Sequence, residues 1–159
     1  MPSSIKALMT RVLDLLRRVE WSGPLLVRLA IGLVFLTTGW GKLNHLDSVT
    51  GFFESLGIPA AGFNAVFVSS IEFAGGILLI AGLATRIASA LLTGVMAVAI
   101  WTARLPELHG VVDLANTIEF TYLALFVWLV VHGPGAVSVD HLLRRATGSG
   151  ESNTSHETA

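Results

Sequence analysis

The stretch FNAVFVSSIEFAGGILLIAGLATRIASALLTGVMAVAIWTA, residues 63–103, decides the fold. It is apolar along nearly all its length, broken only by Glu72 and by the pair Thr85-Arg86. As one helix it would be about 60 Å long at 1.5 Å per residue, twice the ~30 Å of a bilayer's hydrocarbon core. The break therefore predicts two spans, about 63–84 and 87–103, folded back as a tight hairpin with Arg86 at its tip.

Outward from the hairpin, hydropathy predicts two more spans, at about 24–41 and 114–132. Composition agrees: 53% of the 159 residues are hydrophobic and 13% charged, against about 25% charged in soluble domains, and mean hydropathy is +0.71. No small-x-small cleavage site follows the first run before Lys42, so it reads as a retained span and not a signal peptide. The expected fold is all-α: an integral membrane four-helix bundle over 24–145, an amphipathic helix in 1–23, and a disordered tail over 146–159. The tail is expected to begin after a short turn that Ser138 caps and that runs to Arg145.

Basic residues set the expected orientation, because Lys and Arg concentrate on the cytoplasmic side. Lys6, Arg11, Arg17, Arg18, Arg86, Arg144 and Arg145 share one side if the N-terminus is inside, leaving Lys42 and Arg104 on the other. Both termini are thus expected in the cytoplasm. Within 4–20, Ile5, Leu8, Met9, Val12, Leu15, Leu16 and Val19 fall at helical spacing beside four basic residues. Such a helix lies on anionic lipid or docks a cytoplasmic partner. In the first outer loop, Val49, Phe52, Phe53 and Leu56 repeat at i, i+3, i+4 and i+7 between possible caps at Asp47 and Ser48 and the breakers Gly57 and Pro59. They predict a short interfacial helix that lies in the outer interface or closes over the bundle like a lid.

Zero cysteines exclude disulfides, thiolate zinc sites, iron–sulfur clusters and covalent c-type haem. A net charge of -1 argues against nucleic acid as a partner. Ionisable residues inside spans cost about 2.5–3.5 kcal/mol each to insert, which makes Arg28, Glu72 and Glu119 the informative positions. Helical spacing puts Arg28, Gly32, Phe35, Gly39 and Lys42 on one stripe of the first span. Glu72, Gly75, Gly76 and Leu79 share a face of the second, Ala90, Gly94, Ala97, Trp101 and Arg104 a face of the third, and Asn116, Glu119, Leu123 and Phe126 a face of the fourth. These faces are expected to turn inward, their small residues admitting neighbouring backbones.

Arg104 or Lys42 is the expected partner of Glu119, since both side chains reach about a turn inward. Glu72 lies about 13 Å below the outer end of its span, where only Arg28 comes near, at marginal reach; buried without a cation, it would have its pKa raised and could be neutral. It would then donate a hydrogen bond or relay a proton to a ligand headgroup, or else fix helix packing through Ser69, Trp40 or a carbonyl. Trp21, Trp40, Trp101 and Trp128 sit at span ends, as interfacial belts do; Trp40 and Trp101 flank the expected outer cavity, where a stacking role is open to them. His45 and His109 lack metal-ligand spacing and read as solvated rim residues, as do His132, His141 and His156.

Several motifs together resemble the DoxX family of four-helix membrane proteins: Arg28-Leu29-Ala30-Ile31-Gly32-Leu33-Val34-Phe35, Gly39, Lys42-Leu43, Phe52-Phe53, Leu56-Gly57-Ile58-Pro59, Glu72 with Gly75-Gly76, Gly82-Leu83, Thr85-Arg86, Gly133-Pro134-Gly135 and Ser138-Val139-Asp140. The resemblance runs from about Arg28 to Leu143. It implies a bacterial inner-membrane protein that is a subunit or accessory of a quinone-linked oxidoreductase, or that accompanies thiol-redox enzymes. Many members of that family carry a histidine where this chain has Thr37-Thr38-Gly39-Trp40, a departure that bears on redox activity.

The expectation is a quinone-like ligand in the outer half of the bundle, with no covalent cofactor and no metal. Glu72 is the catalytic candidate, and Lys42, Trp40, Trp101, Arg104 and Glu119 are the ligand-binding candidates. Expected partners are the lipid bilayer, a redox-enzyme subunit and a second copy of the chain. The competing readings are a non-catalytic scaffold that recruits a partner through its basic N-terminal helix, and a small proton-coupled carrier.

Overall fold

The hairpin forms where the chain breaks. In the computed structural model, which describes residues 9, 11, 13, 14, 19–108 and 110–148, helix α3 (Ala61–Ala81) is followed closely by α4 (Thr85–Ala99). Gly82 ends α3 with φ +68°, and the amides of Gly82 and Leu83 turn back to donate to the carbonyls of Leu79 and Leu78. This is the left-handed helix stop that glycine adopts at least cost. The turn lies slightly earlier than the expected break, because the glycine and not the arginine stops the helix.

Ahead of this hairpin run α1 (Ser22–Asn44) and the short α2 (Leu46–Ser55). Beyond α4 the chain continues as a π-helical turn over Ile100–Arg104 and a 3-10 turn over Leu105–Glu107. Then come α5 (Val111–Ala115), α6 (Ile118–His132) and α7 (Val139–Gly148). No strand occurs among the described residues.

Among the described residues, three helices are long and apolar enough to cross a membrane: Ser22–Asn44, Ala61–Ala81 and Thr85–Arg104. The span expected over 114–132 is divided. Thr117 adopts an extended conformation and its hydroxyl accepts from the Phe120 amide at 3.4 Å, so α6 starts only at Ile118. At 15 residues, α6 is about 22 Å long and falls short of the ~30 Å core.

Packing is tightest between α1 and α3 and between α4 and α6, with α2 laid against α3. Ile31, Phe35, Leu79, Leu92, Met96, Phe126 and Leu129 form the buried core. There Phe35 meets the rings of Tyr122 and Phe126 edge-on at 5.3 and 5.0 Å. Leu26, Leu33, Phe63, Ile87, Val98 and Val131 are exposed, as a lipid-facing surface requires.

The expected inward stripes of α1 and α3 are buried at Arg28, Gly32, Phe35 and Gly39, and at Glu72, Gly75, Gly76 and Leu79. On the α6 side Phe126 is buried, whereas Asn116 is exposed. The α4 stripe is a correction: Ala90, Gly94, Ala97 and Trp101 are exposed, and α4 buries Thr85, Ala88, Ser89, Leu92 and Met96 instead. Thr85 and Ser89 lie on the face that packs, and the small-residue stripe runs beside it.

The expected amphipathic helix of 4–20 lies largely outside the described residues, as do His109, His156 and the tail from 149 onward. The turn expected to stop at Arg145 is a helix running to Gly148.

Candidate functional site

Lys42, Glu72, Arg104 and Glu119, far apart in sequence, line one cavity of about 820 Å³ at the end of the bundle that carries α2. Ligand pockets commonly enclose 300–1,000 Å³. Its walls come from α3 and α4, and Phe52, Phe53, Leu56 and Ile58 roof it. The short helix therefore forms a lid over the cavity. It starts at Leu46, ahead of the expected caps Asp47 and Ser48, and no side chain caps it. After it the chain turns through Gly57, at φ +70°, and Ala60, at φ +48°.

Glu72 departs from its expected state. It is 2% exposed, but the Lys42 ammonium donates to its Oε1 at 2.7 Å. In this antiparallel packing Gly39 lies against Glu72 and Phe73. Side chains lean toward the N-terminus of their own helix, so Lys42 leans back toward the level of Gly39 and Glu72 leans up to meet it. Reach measured from the span end omitted both tilts. The acid is ion-paired through Oε1, so it does not lack the cation that the sequence left it without.

Arg104 reaches Glu119, donating from Nε at 3.0 Å and Nη2 at 2.9 Å to the same Oε1. Each carboxylate thus spends one oxygen on a cation. The second oxygens, Oε2 of Glu72 and of Glu119, are buried with no hydrogen-bond partner, although buried acceptors are normally satisfied.

Trp40 and Trp101 do not line the cavity. Both are largely exposed, and Trp40 packs on Phe73 with ring centroids 5.6 Å apart. Trp40 is two residues from Lys42, which turns it about 200° around the helix. At Trp101 the π-helical turn carries Thr102, Ala103 and Arg104 to the cavity and leaves the indole outside. The His45 and His132 rings contact the carbonyls of Gly41 and Trp128, and no described group of three or more His, Asp or Glu side chains could hold a metal ion.

A model of the DoxX family matches residues 23–105, more than half of the chain. The chain belongs to the DoxX family. Among its relatives, the membrane protein Rv3486 of Mycobacterium tuberculosis is 35% identical over 150 residues, covering 84% of this chain and 91% of the relative. The inner membrane protein YqjF of Escherichia coli is 29% identical over 130 residues, 82% of this chain and 98% of the relative. CatD of Bacillus subtilis, provisionally named an oxidoreductase, is 32% identical over 120 residues, 74% of this chain and 84% of the relative. No solved structure matches the chain.

In this DoxX chain one polar cluster went unread in the sequence. Arg28 is 1% exposed, in keeping with its place on the inward stripe. Its guanidinium donates to the carbonyls of Leu79 at 3.0 Å, Val137 at 3.0 Å, and Pro134. Gly82 has no side chain to obstruct it: a Cβ there would lie 2.7 Å from the guanidinium. Asp140 accepts from the amides of Ala84 at 2.8 Å and Thr85 at 3.1 Å, capping α4, while its own amide donates to the Gly82 carbonyl. The segment Gly133–Asp140 is thereby fastened to the hairpin turn. The spacing of Gly82, Thr85 and Asp140 carried no hint of this, because most of the partners are main-chain atoms.

Proposed function

We propose that this DoxX-family chain is a bacterial inner-membrane subunit that binds a quinone-class ligand in the α2-roofed cavity and serves a membrane oxidoreductase. One observation carries the reading: an apolar cavity holds two carboxylate–cation pairs, and each carboxylate keeps one buried, unsatisfied oxygen. An unmet buried acceptor calls for a donor, which the hydroxyls of a reduced quinone supply. Lys42 and Arg104 would donate to the carbonyl oxygens of the oxidised form. The provisional oxidoreductase name of CatD and the inner-membrane name of YqjF support the same reading.

The test is purification in mild detergent followed by solvent extraction and identification of bound quinone. Wild type is expected to retain quinone, and Glu72→Gln to lose it. The double variant Lys42→Met/Glu72→Gln, which buries no unpaired charge, should unfold at a temperature near wild type and still lack quinone. Quinone retained by that folded double variant would overturn the reading.

The basic residues around the hairpin tip and α7 support a cytoplasmic location of both termini, with the cavity toward the exterior. Because the chain has no cysteine, single-cysteine variants report orientation cleanly. Ser55→Cys should react with an impermeant maleimide on intact spheroplasts, and Arg145→Cys only after lysis. The reverse pattern would overturn the orientation.

A further inference from the structure

A second hollow, of about 240 Å³, opens between α3 and α4 beside the cavity. The two share Phe67, Ile71 and Leu91, and the hollow continues past Ala74, Leu78 and Ala88 toward the hairpin turn. From Phe67 to Leu78 it follows α3 for about 16 Å at 1.5 Å per residue. Its lining is apolar apart from Ser70. Phe67 and Leu91, on its two walls, are each about half exposed on the surface that meets lipid. Beside the cavity that holds the charged groups there is thus a narrow apolar slot, sharing three wall residues with it and open sideways to the bilayer.

We infer that the site takes a membrane-dissolved amphiphile with a long linear tail, its head among Lys42, Glu72, Arg104 and Glu119 and its tail in the α3–α4 slot. The ligand enters laterally between Phe67 and Leu91, not through the lid. This rests on the quinone reading above and adds the tail and the route. The size of the slot matters here: Ala74 and Ala88 keep it open where larger residues would close it. A tail already in hydrocarbon gains little from burial in more hydrocarbon, so the slot selects by shape and sets the approach of the head.

Two photoreactive benzoquinones test this on the full-length protein in lipid nanodiscs, one tagged at the end of an isoprenoid tail and one tagged on the headgroup. Adduct sites are mapped by mass spectrometry with and without excess untagged quinone. The tail-tagged probe is expected to label Ala74, Leu78 or Ala88 in a competed manner. Ala74→Trp, at an exposed position, should lose those adducts yet keep the competed headgroup adducts near Glu72. Ile77→Trp, on exposed surface outside the slot, should change neither.

Competed headgroup adducts with tail adducts on α1 or α6 would overturn the slot and leave the quinone reading standing. So would slot adducts that a photoreactive phospholipid matches and quinone does not compete, since the slot would then hold bilayer acyl chains. The absence of competed adducts from either probe would overturn both.

Discussion

Glu72 meets Lys42 because both side chains lean toward each other across antiparallel helices, and that contact changes what the acid can do. Its Oε1 accepts from the Lys42 ammonium at 2.7 Å, which leaves only Oε2 for a ligand. Removing one partner of a buried pair costs 3–5 kcal/mol, and the partial exposure of Lys42 reduces this to about 2–3 kcal/mol for Lys42→Met. Adding Glu72→Gln to that variant should recover most of the loss, as tryptophan fluorescence during thermal unfolding would show. A double variant as unstable as Lys42→Met alone would mean that the pair does not govern the stability of this site.

At the scale of elements, α1 and α3 are pressed backbone to backbone at glycines. A Cβ on Gly39 would run into the backbone of Phe73, and one on Gly76 into that of Leu36. Overpacking of this kind costs about 1–3 kcal/mol, so Gly39→Ala and Gly76→Ala should each lower the unfolding temperature. Gly94, with nothing within 4 Å of its absent Cβ, should behave oppositely. There alanine gains about 0.8–1 kcal/mol of helix propensity, and Gly94→Ala should unfold at a higher temperature. Equal effects at all three positions would refute the packing assigned to α1 and α3.

These glycines also show why some faces were legible in the sequence and others were not. On α1 and α3 a charged residue shares a stripe with glycines, and two independent reasons for burial coincide. On α4 the stripe of small residues with Trp101 and Arg104 was half right: Gly94 and Arg104 line the cavity, whereas Ala90, Ala97 and Trp101 are exposed outside it. The buried Ser89 and Thr85 were the better guide, being polar groups with no place in lipid.

In the whole molecule the two ends divide the work. The α2 end holds the cavity and its ion pairs, and the hairpin end is fastened by Arg28 and Asp140. Asp140→Ala would leave the amides of Ala84 and Thr85 without their acceptor and should cost about 1–2 kcal/mol, as capping losses do. Limited trypsin digestion at Arg144 and Arg145 should then be faster than in wild type, while quinone binding at the far end persists. Unchanged digestion would show that the Gly133–Asp140 segment holds its place without this cap. The runs Gly133-Pro134-Gly135 and Ser138-Val139-Asp140 were legible as motifs. Their docking was not, because a sequence does not name the carbonyls that Arg28 seeks.

The π-helical turn at Ile100–Arg104 behaves as a single residue inserted into an otherwise regular helix. Counting α-helical phase straight through it misplaces everything downstream by about 100°. Arg104 closes that turn and reaches Glu119 from its end. A chain shortened by one residue there, Ala103 for instance, could close into plain α-helix and still bring its arginine to the acid, whereas one lengthened by a residue could not.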